Sequence, residues 1–294
     1  MAMELFYWQS PNGNVGDDLN AWLWPKVLGP DALDAPGTHS HAAPAEGDRR
    51  FLGIGSVLVR RHLLPKPGRN VIFGPGLRSA EDAAGVREHD LRIAFVRGPL
   101  SAAALGGCPF ICDPAILAPG HFQRHEAVPG RIGFVPYMTT PAPVVDRIRD
   151  ETGVVPIPTT LPVEQFLSAL TRCEYVVCEA MHGAILADSF RIPWAGCRIS
   201  SAFHEGPTSI FKWTDWQRSL ALEAPPVSSV PDWVYFRPRR LRRLARGHAL
   251  RRGPALVGQI LRRDQWTLSD PGRIESARSR ILDEANALRA SLHA

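Results

Sequence analysis

The 294-residue chain has no apolar run near the ~18 residues that cross a bilayer. Its first residues, Met1-Ala2-Met3-Glu4-Leu5-Phe6-Tyr7-Trp8, carry no basic stretch and no long apolar core, so they read as a first strand, not a signal peptide. A cytoplasmic protein is the expectation. There is no GxGxxG fingerprint and no Gly-Lys-Ser/Thr phosphate loop, which argues against a classical dinucleotide site and against a P-loop NTPase. No HExxH or paired histidine spacing occurs, so no metal is expected. Cysteine is scarce. Cys108, Cys112, Cys173, Cys178 and Cys197 fit no common zinc pattern and read as small buried hydrophobes. No internal repeat of 20–50 residues is visible.

Acidic residues are missing from one whole region. Arg237 to Arg263 holds ten arginines and no Lys, Asp or Glu. The formal charge of the chain is +5, so the remainder is net acidic and the basicity is local. Three readings are open for this segment. It is a solvated basic helix, a surface for anionic lipid headgroups, or a nucleic-acid contact. Leu241, Leu244, Leu250, Leu256, Val257 and Leu261 would give the lipid reading its apolar side. The arginines lack interleaved aromatics for base stacking, so no nucleic acid is expected.

What is present is a hydrophobic fraction of 45%, enough for a sizeable core. Short apolar runs end in glycine or proline. Strands are expected at Glu4–Trp8, Arg50–Gly55, Asn70–Gly74, Arg92–Val96 and Phe110–Cys112. Asp17 or Asp18 would cap a helix through Leu28, and Pro99–Leu105 would form another. Gly120 to Gly130 reads as a hinge. A second series follows: strand Arg131–Pro136, helix Val144–Thr152, strand Val154–Ile157, helix Val163–Arg172, strand Tyr175–Cys178, an amphipathic helix from Ala184 to Phe190, and a strand from Ile192. Ala224 to Pro231 reads as a Pro/Ser-rich connector. Alternating strands and helices imply parallel sheets. The expected fold is α/β: two Rossmann-like domains, GT-B-like in arrangement, over residues 1–125 and 126–236, with an arginine-rich helical segment over 237–294.

Several strand ends carry chemistry. Glu179-Ala180-Met181-His182-Gly183 follows the Tyr175–Cys178 strand and opens a helix. His182 thus falls where open α/β sheets bind ligands, beside a helix N-terminus that favours anions. In Asn12-Gly13-Asn14-Val15-Gly16-Asp17-Asp18, glycine lets the backbone approach a ligand, and the aspartates either cap the helix, bind sugar hydroxyls or act as a base. Gly53-Ile54-Gly55-Ser56 and Gly74-Pro75-Gly76 are glycine turns at strand ends. Arg97 suits a carboxylate or phosphate, or a structural ion pair. Asp113 reads as a cap or a site carboxylate. Lys212, Trp213, Asp215 and Trp216 are either a sugar-stacking, anion-holding cluster or a packing anchor.

In this order the motifs resemble those of polysaccharide pyruvyl transferases. They are Asn14-x-Gly16-Asp17-Asp18, Gly53-x-Gly55-Ser56, Gly74-x-Gly76, Val96-Arg97-Gly98-Pro99-x-Ser101, Asp113-Pro114-Ala115 and Met181-His182-Gly183-Ala184-Ile185. Lys-Trp-x-Asp-Trp at 212–216 is similar to an element of the exopolysaccharide ketalase branch. The resemblance covers about residues 4–220 and leaves out the arginine-rich end. It implies transfer of a pyruvyl group from phosphoenolpyruvate to two sugar hydroxyls, giving a cyclic ketal. It implies no cofactor and no metal. The acceptor would be a lipid-linked glycan at the inner face of the membrane. Arg97, His182 and Asp17 would then be catalytic. Asn14, Gly16, Asp18, Gly55, Ser56, Gly76, Asp113, Gly183, Arg198, Lys212 and Trp213 would bind substrate. One departure stands out: many relatives carry a basic residue two places before the histidine, and here that residue is Ala180. The rival readings are a GT-B glycosyltransferase using a nucleotide sugar and a non-catalytic glycan-binding module.

Overall fold

A computed structural model describes residues 3–34, 44–229 and 242–293. Its strands form two parallel five-stranded sheets. The first holds β1 (Met3–Phe6), β2 (Leu33–Asp34), β3 (Arg49–Leu52), β4 (Arg69–Phe73) and β5 (Asp90–Phe95), in the order β2-β1-β3-β4-β5. The second holds β6 (Ile132–Val135), β7 (Val155–Pro156), β8 (Tyr175–Cys178), β9 (Trp194–Arg198) and β10 (Val227–Ser228), in the order β10-β9-β8-β6-β7. Counted from its own first strand, each sheet has the same order. The second strand lies on one side of the first, and the other three follow on the opposite side. The chain therefore reverses direction across each sheet between β1 and β3, and again between β6 and β8. Such switch points open a crevice at the strands' carboxyl ends.

The helices are α1 (Val15–Leu28), α2 (Asp82–Val86), α3 (Pro99–Ala104), α4 (Ala142–Thr152), α5 (Val163–Thr171), α6 (Met181–Ser189), α7 (Ser201–His204), α8 (Pro207–Ser219), α9 (Arg242–Arg263) and α10 (Pro271–His293). Short 3-10 turns occupy Arg60–His62 and Pro114–Gly120. The β4 run Asn70-Val71-Ile72-Phe73 is buried, as parallel strands covered on both faces require. Trp24 from α1 stands edge-on to Phe51 and Phe73, with centroids 5.0 and 5.4 Å apart. Each such side chain contributes about 1.5–3 kcal/mol on burial. The main apolar core runs without a break from α1 and β4 to α6 and α10, so the two sheet units share one interior. Arg278 of α10 fastens this seam by donating to the Ile116 and Ser189 carbonyls.

Several local expectations need correction. The cap of α1 is Asn14, three residues before the earliest acidic candidate, and the backbone N–H of Asn14 donates to Asp18 Oδ2 at 3.0 Å. Phe110–Cys112 makes one isolated bridge to Val96 instead of a strand, because prolines at 109 and 114 bracket it. Helix α6 is not amphipathic: every residue but His182 is buried. The connector 224–231 contains β10, which adds to β9 as an edge strand. Four of the cysteines are buried as expected, and burial pushes the Cys112 thiol up to about 12.

The basic segment also differs. Leu256 and Val257 of α9 are buried with Ala249 and Ile260, and Leu250 and Leu261 pack on the same cluster beside Ile148 of α4. That apolar side faces the protein and is not free for lipid. Arg251, Arg252, Arg262 and Arg263 are exposed. Leu241 and the arginines at 237, 239 and 240 lie outside the described residues.

Candidate active site

A pocket of about 280 Å³ opens where the two switch points meet. The loop after β1 supplies Trp8, Asn14 and, at the start of α1, Asp17. The loop after β3 supplies Gly55, Ser56, Arg61 and His62. From the second unit come Tyr137 and Met138 after β6, and Ala180, Met181 and His182 after β8. Thr159, Arg78, Glu205 and Lys212 complete the wall. The N-termini of α1 and α6 both face this space, which favours an anion there.

His182 is clasped between two elements of the first unit. Its Nε2 lies 3.5 Å from Asp113 Oδ2, and Asp113 is fully buried. The other Asp113 oxygen, Oδ1, accepts from the Ala115 N–H at 3.0 Å. Asp113 is thus a cap, and the same carboxylate also backs the imidazole. On the opposite side the ring lies against Gly16: a Cβ built there would sit 2.1 Å from His182 Nδ1. Only glycine leaves room for the histidine. The side chain keeps 14% of its surface exposed, toward the pocket.

Asp17 is the second titratable group. Burial pushes its carboxyl up to about 6, against the opposing pull of the Asn14 hydrogen bond and of His182. Asn14 Nδ2 donates to Asp17 Oδ2 at 2.6 Å. A carboxylate poised near neutrality is suited to take a proton from a hydroxyl. On the far wall Lys212 is paired with Glu205, and Glu205 also bonds the Tyr137 hydroxyl. Burial and the Glu205 charge push that phenol upward, so it stays protonated.

Arg97 does not reach the pocket. It is fully buried, paired with Asp215 Oδ2 at 3.2 Å, and its Nη1 donates to Ser56 Oγ at 2.8 Å. Gly76 makes its berth, since a Cβ there would meet the guanidinium at 2.2 Å. Asp215 also accepts from the Leu100 and Ser101 N–H groups and from Ser101 Oγ. The Lys212–Trp216 element therefore divides its work. Lys212 faces the pocket, Asp215 locks Arg97 and the start of α3, and Trp213 and Trp216 pack on Trp194. Trp213 and Arg198 line a different, smaller recess with Pro225 and Pro226. Gly183 lets α6 close on β6, where a Cβ would meet Val135 at 2.7 Å.

Of the residues singled out in the sequence, the pocket gathers Asn14, Asp17, Gly55, Ser56, His182 and Lys212. Gly16, Gly76, Asp113 and Gly183 stand directly behind them, Asp18 serves the α1 cap, and Arg198 and Trp213 are elsewhere. Sequence reasoning missed Trp8, Arg61, Arg78, Tyr137 and Glu205 on the wall. It also missed Glu179. This buried carboxylate accepts from the Tyr137, Ile199 and Ser201 N–H groups and from Thr140 Oγ1, tying together the loops after β6, β8 and β9. Its place at a strand end, next to a titratable residue, was the available signal. Among the described residues no group of three His, Cys, Asp or Glu side chains could hold a metal ion, and no helix is long and apolar enough to cross a membrane.

A family model described as polysaccharide pyruvyl transferase matches residues 47–201. The chain is 32% identical over 278 residues to the succinoglycan biosynthesis protein ExoV of Rhizobium meliloti (strain 1021), covering 92% of this chain and 78% of that protein. No solved structure matches the chain.

Proposed function

The chain belongs to the polysaccharide pyruvyl transferase family, and we propose from that premise that it moves a pyruvyl group from phosphoenolpyruvate onto two hydroxyls of a sugar in an exopolysaccharide repeat unit. The observation that carries the reading is His182, held between Asp113 and Gly16 at the mouth of a cation-lined pocket and facing Asp17. In the scheme, His182 in its protonated form gives a proton to the donor's methylene carbon, and C2 becomes electrophilic. The first sugar hydroxyl adds to C2 while Asp17 accepts its proton. The C2–O bond to phosphate then breaks, phosphate leaves, and the second hydroxyl adds, giving its proton to the now neutral His182, to close the ketal. Asp113, 3.5 Å from Nε2, holds the ring in place. Arg97 acts from behind by holding Ser56. Phosphoenolpyruvate is a donor substrate here, and the scheme calls for no cofactor.

Trp8, 44% exposed on the pocket wall, offers a face on which a sugar ring can stack. This is the role that the sequence had offered to Trp213. We read the two-unit arrangement as GT-B-like. The acceptor is proposed to be lipid-linked, with the exposed α9 arginines meeting an anionic membrane face by charge alone, since the helix's apolar side is buried.

The test is phosphate release from phosphoenolpyruvate with and without a lipid-linked acceptor glycan. Release that depends on acceptor, and is lost in His182→Ala, is expected. Release of a nucleoside diphosphate from a nucleotide sugar instead, or full turnover by His182→Ala, would overturn the reading.

A further inference from the structure

We infer that Arg61 and Arg78 form the phosphate subsite of this pocket, supplying positive charge from the first sheet unit.

Three cationic side chains line the pocket: Arg61, Arg78 and Lys212. Lys212 is engaged, because its ammonium is paired with Glu205 and lies within electrostatic reach of Asp17. Arg97, the arginine that the motifs point to, is consumed by Asp215, Ser56 and Leu77. Among the described residues neither Arg61 nor Arg78 makes an ion pair with a carboxylate, and both are exposed. Arg60, beside Arg61, turns away to Glu88.

Arg61 is also aimed. His62 Nδ1 lies 3.0 Å from the Val57 carbonyl, which can only accept, so Nδ1 carries the hydrogen. His62 Nε2 is then an acceptor, and Arg61 Nε donates to it at 3.2 Å. That bond uses the inner nitrogen of the guanidinium and leaves its terminal fork for the pocket. Arg78 lies near enough to Tyr137 for its charge to pull the phenol downward. Two guanidinium forks in one pocket match a tetrahedral dianion with several oxygens better than a single carboxylate.

Phosphoenolpyruvate as the phosphate's bearer rests on the function proposed above; the subsite itself does not. Calorimetric binding of inorganic phosphate and of phosphoenolpyruvate to the intact protein separates the two. Arg61→Gln and Arg78→Gln should each weaken both ligands by about 10- to 100-fold. Arg61→Lys should recover part of the loss, and Arg147→Gln on α4 should change nothing. Wild-type binding of phosphate but not phosphoenolpyruvate, with the same arginine dependence, keeps the subsite and discards the donor. Undiminished phosphoenolpyruvate binding in both variants discards the subsite and keeps the donor. Failure of the wild type to bind either ligand discards the subsite as well.

Discussion

Alanine at position 16 would place a methyl carbon 2.1 Å from His182 Nδ1, 2.6 Å from Cγ and 2.9 Å from Cε1. Ordinary contact begins near 3.4 Å, so the ring must retreat by about 1.3 Å. Its other edge faces the fully buried Asp113 carboxylate at 3.5 Å, and the rest of α6 is packed tightly. The imidazole therefore swings off the line that joins it to Asp113 and Asp17. A misplacement of about 1 Å costs on the order of 100-fold in rate. Stability moves little, because the gain of about 0.5–1 kcal/mol from replacing a helical glycine opposes the strain of the shifted ring. The measurement is acceptor-dependent phosphate release by Gly16→Ala, set beside its thermal melt. The expectation is a folded protein about 100-fold slower. The double variant Gly16→Ala/His182→Ala should be no slower than His182→Ala, since both changes strike one group. Wild-type turnover by Gly16→Ala would sink the idea that His182 must sit where this structure holds it.

Other outcomes follow from the same geometry. With Asp17 near 6, kcat/KM should rise with pH through about 6, and Asp17→Asn should abolish that rising limb. Because the folded-state value lies above the ordinary 3.8, the native protein binds the proton more tightly. Wild-type stability therefore falls as pH rises from about 4 to about 6, and Asp17→Asn should melt higher than wild type at pH 8 but not at pH 4. Asp215→Ala strands the buried Arg97 charge and should destabilise by about 3–5 kcal/mol in urea unfolding; a loss under 1 kcal/mol would contradict that ion pair's place. Trp8→Ala should raise KM for the acceptor at least several-fold while leaving phosphoenolpyruvate binding alone, and equal effects on both substrates would refute the stacking role.

Most strands were legible because they are short apolar runs closed by glycine or proline; the two-residue edge strands β2 and β10 were not, since two residues carry no such run. His182 and Asp17 were legible for a related reason: each falls where a strand hands over to a helix. What supports them was not. Asp113 reaches His182, and Asp215 reaches Arg97 across 118 residues, only through tertiary packing. Arg97 in the sequence was equally a ligand for an anion and half of an ion pair, and only the depth of its burial distinguishes the two. Helix α8 went unread because Lys212 to Trp216 mixes charge and aromatics, each side chain facing a different neighbour. Arg61 and Arg78 were hidden among many arginines, with no spacing to mark them. Tryptophan was expected at the site, but at 213; Trp8 differs from Trp213 only in what the fold leaves uncovered.

The shared strand order of the two sheets bears on how such an enzyme changes over time. The pocket is the seam between two equivalent crevices, and each half brings a different skill. The first contributes Asp17, the proposed base, and the surfaces that would grip ligands: Trp8, Arg61 and Arg78. The second contributes His182, the proposed proton donor, on a helix with almost no exposed surface. Loops after β1 and β3 can lengthen, shorten or change residues without disturbing the packing of α6. Acceptor preference can therefore drift in the loops of one half while the proposed proton donor is inherited unaltered in the other.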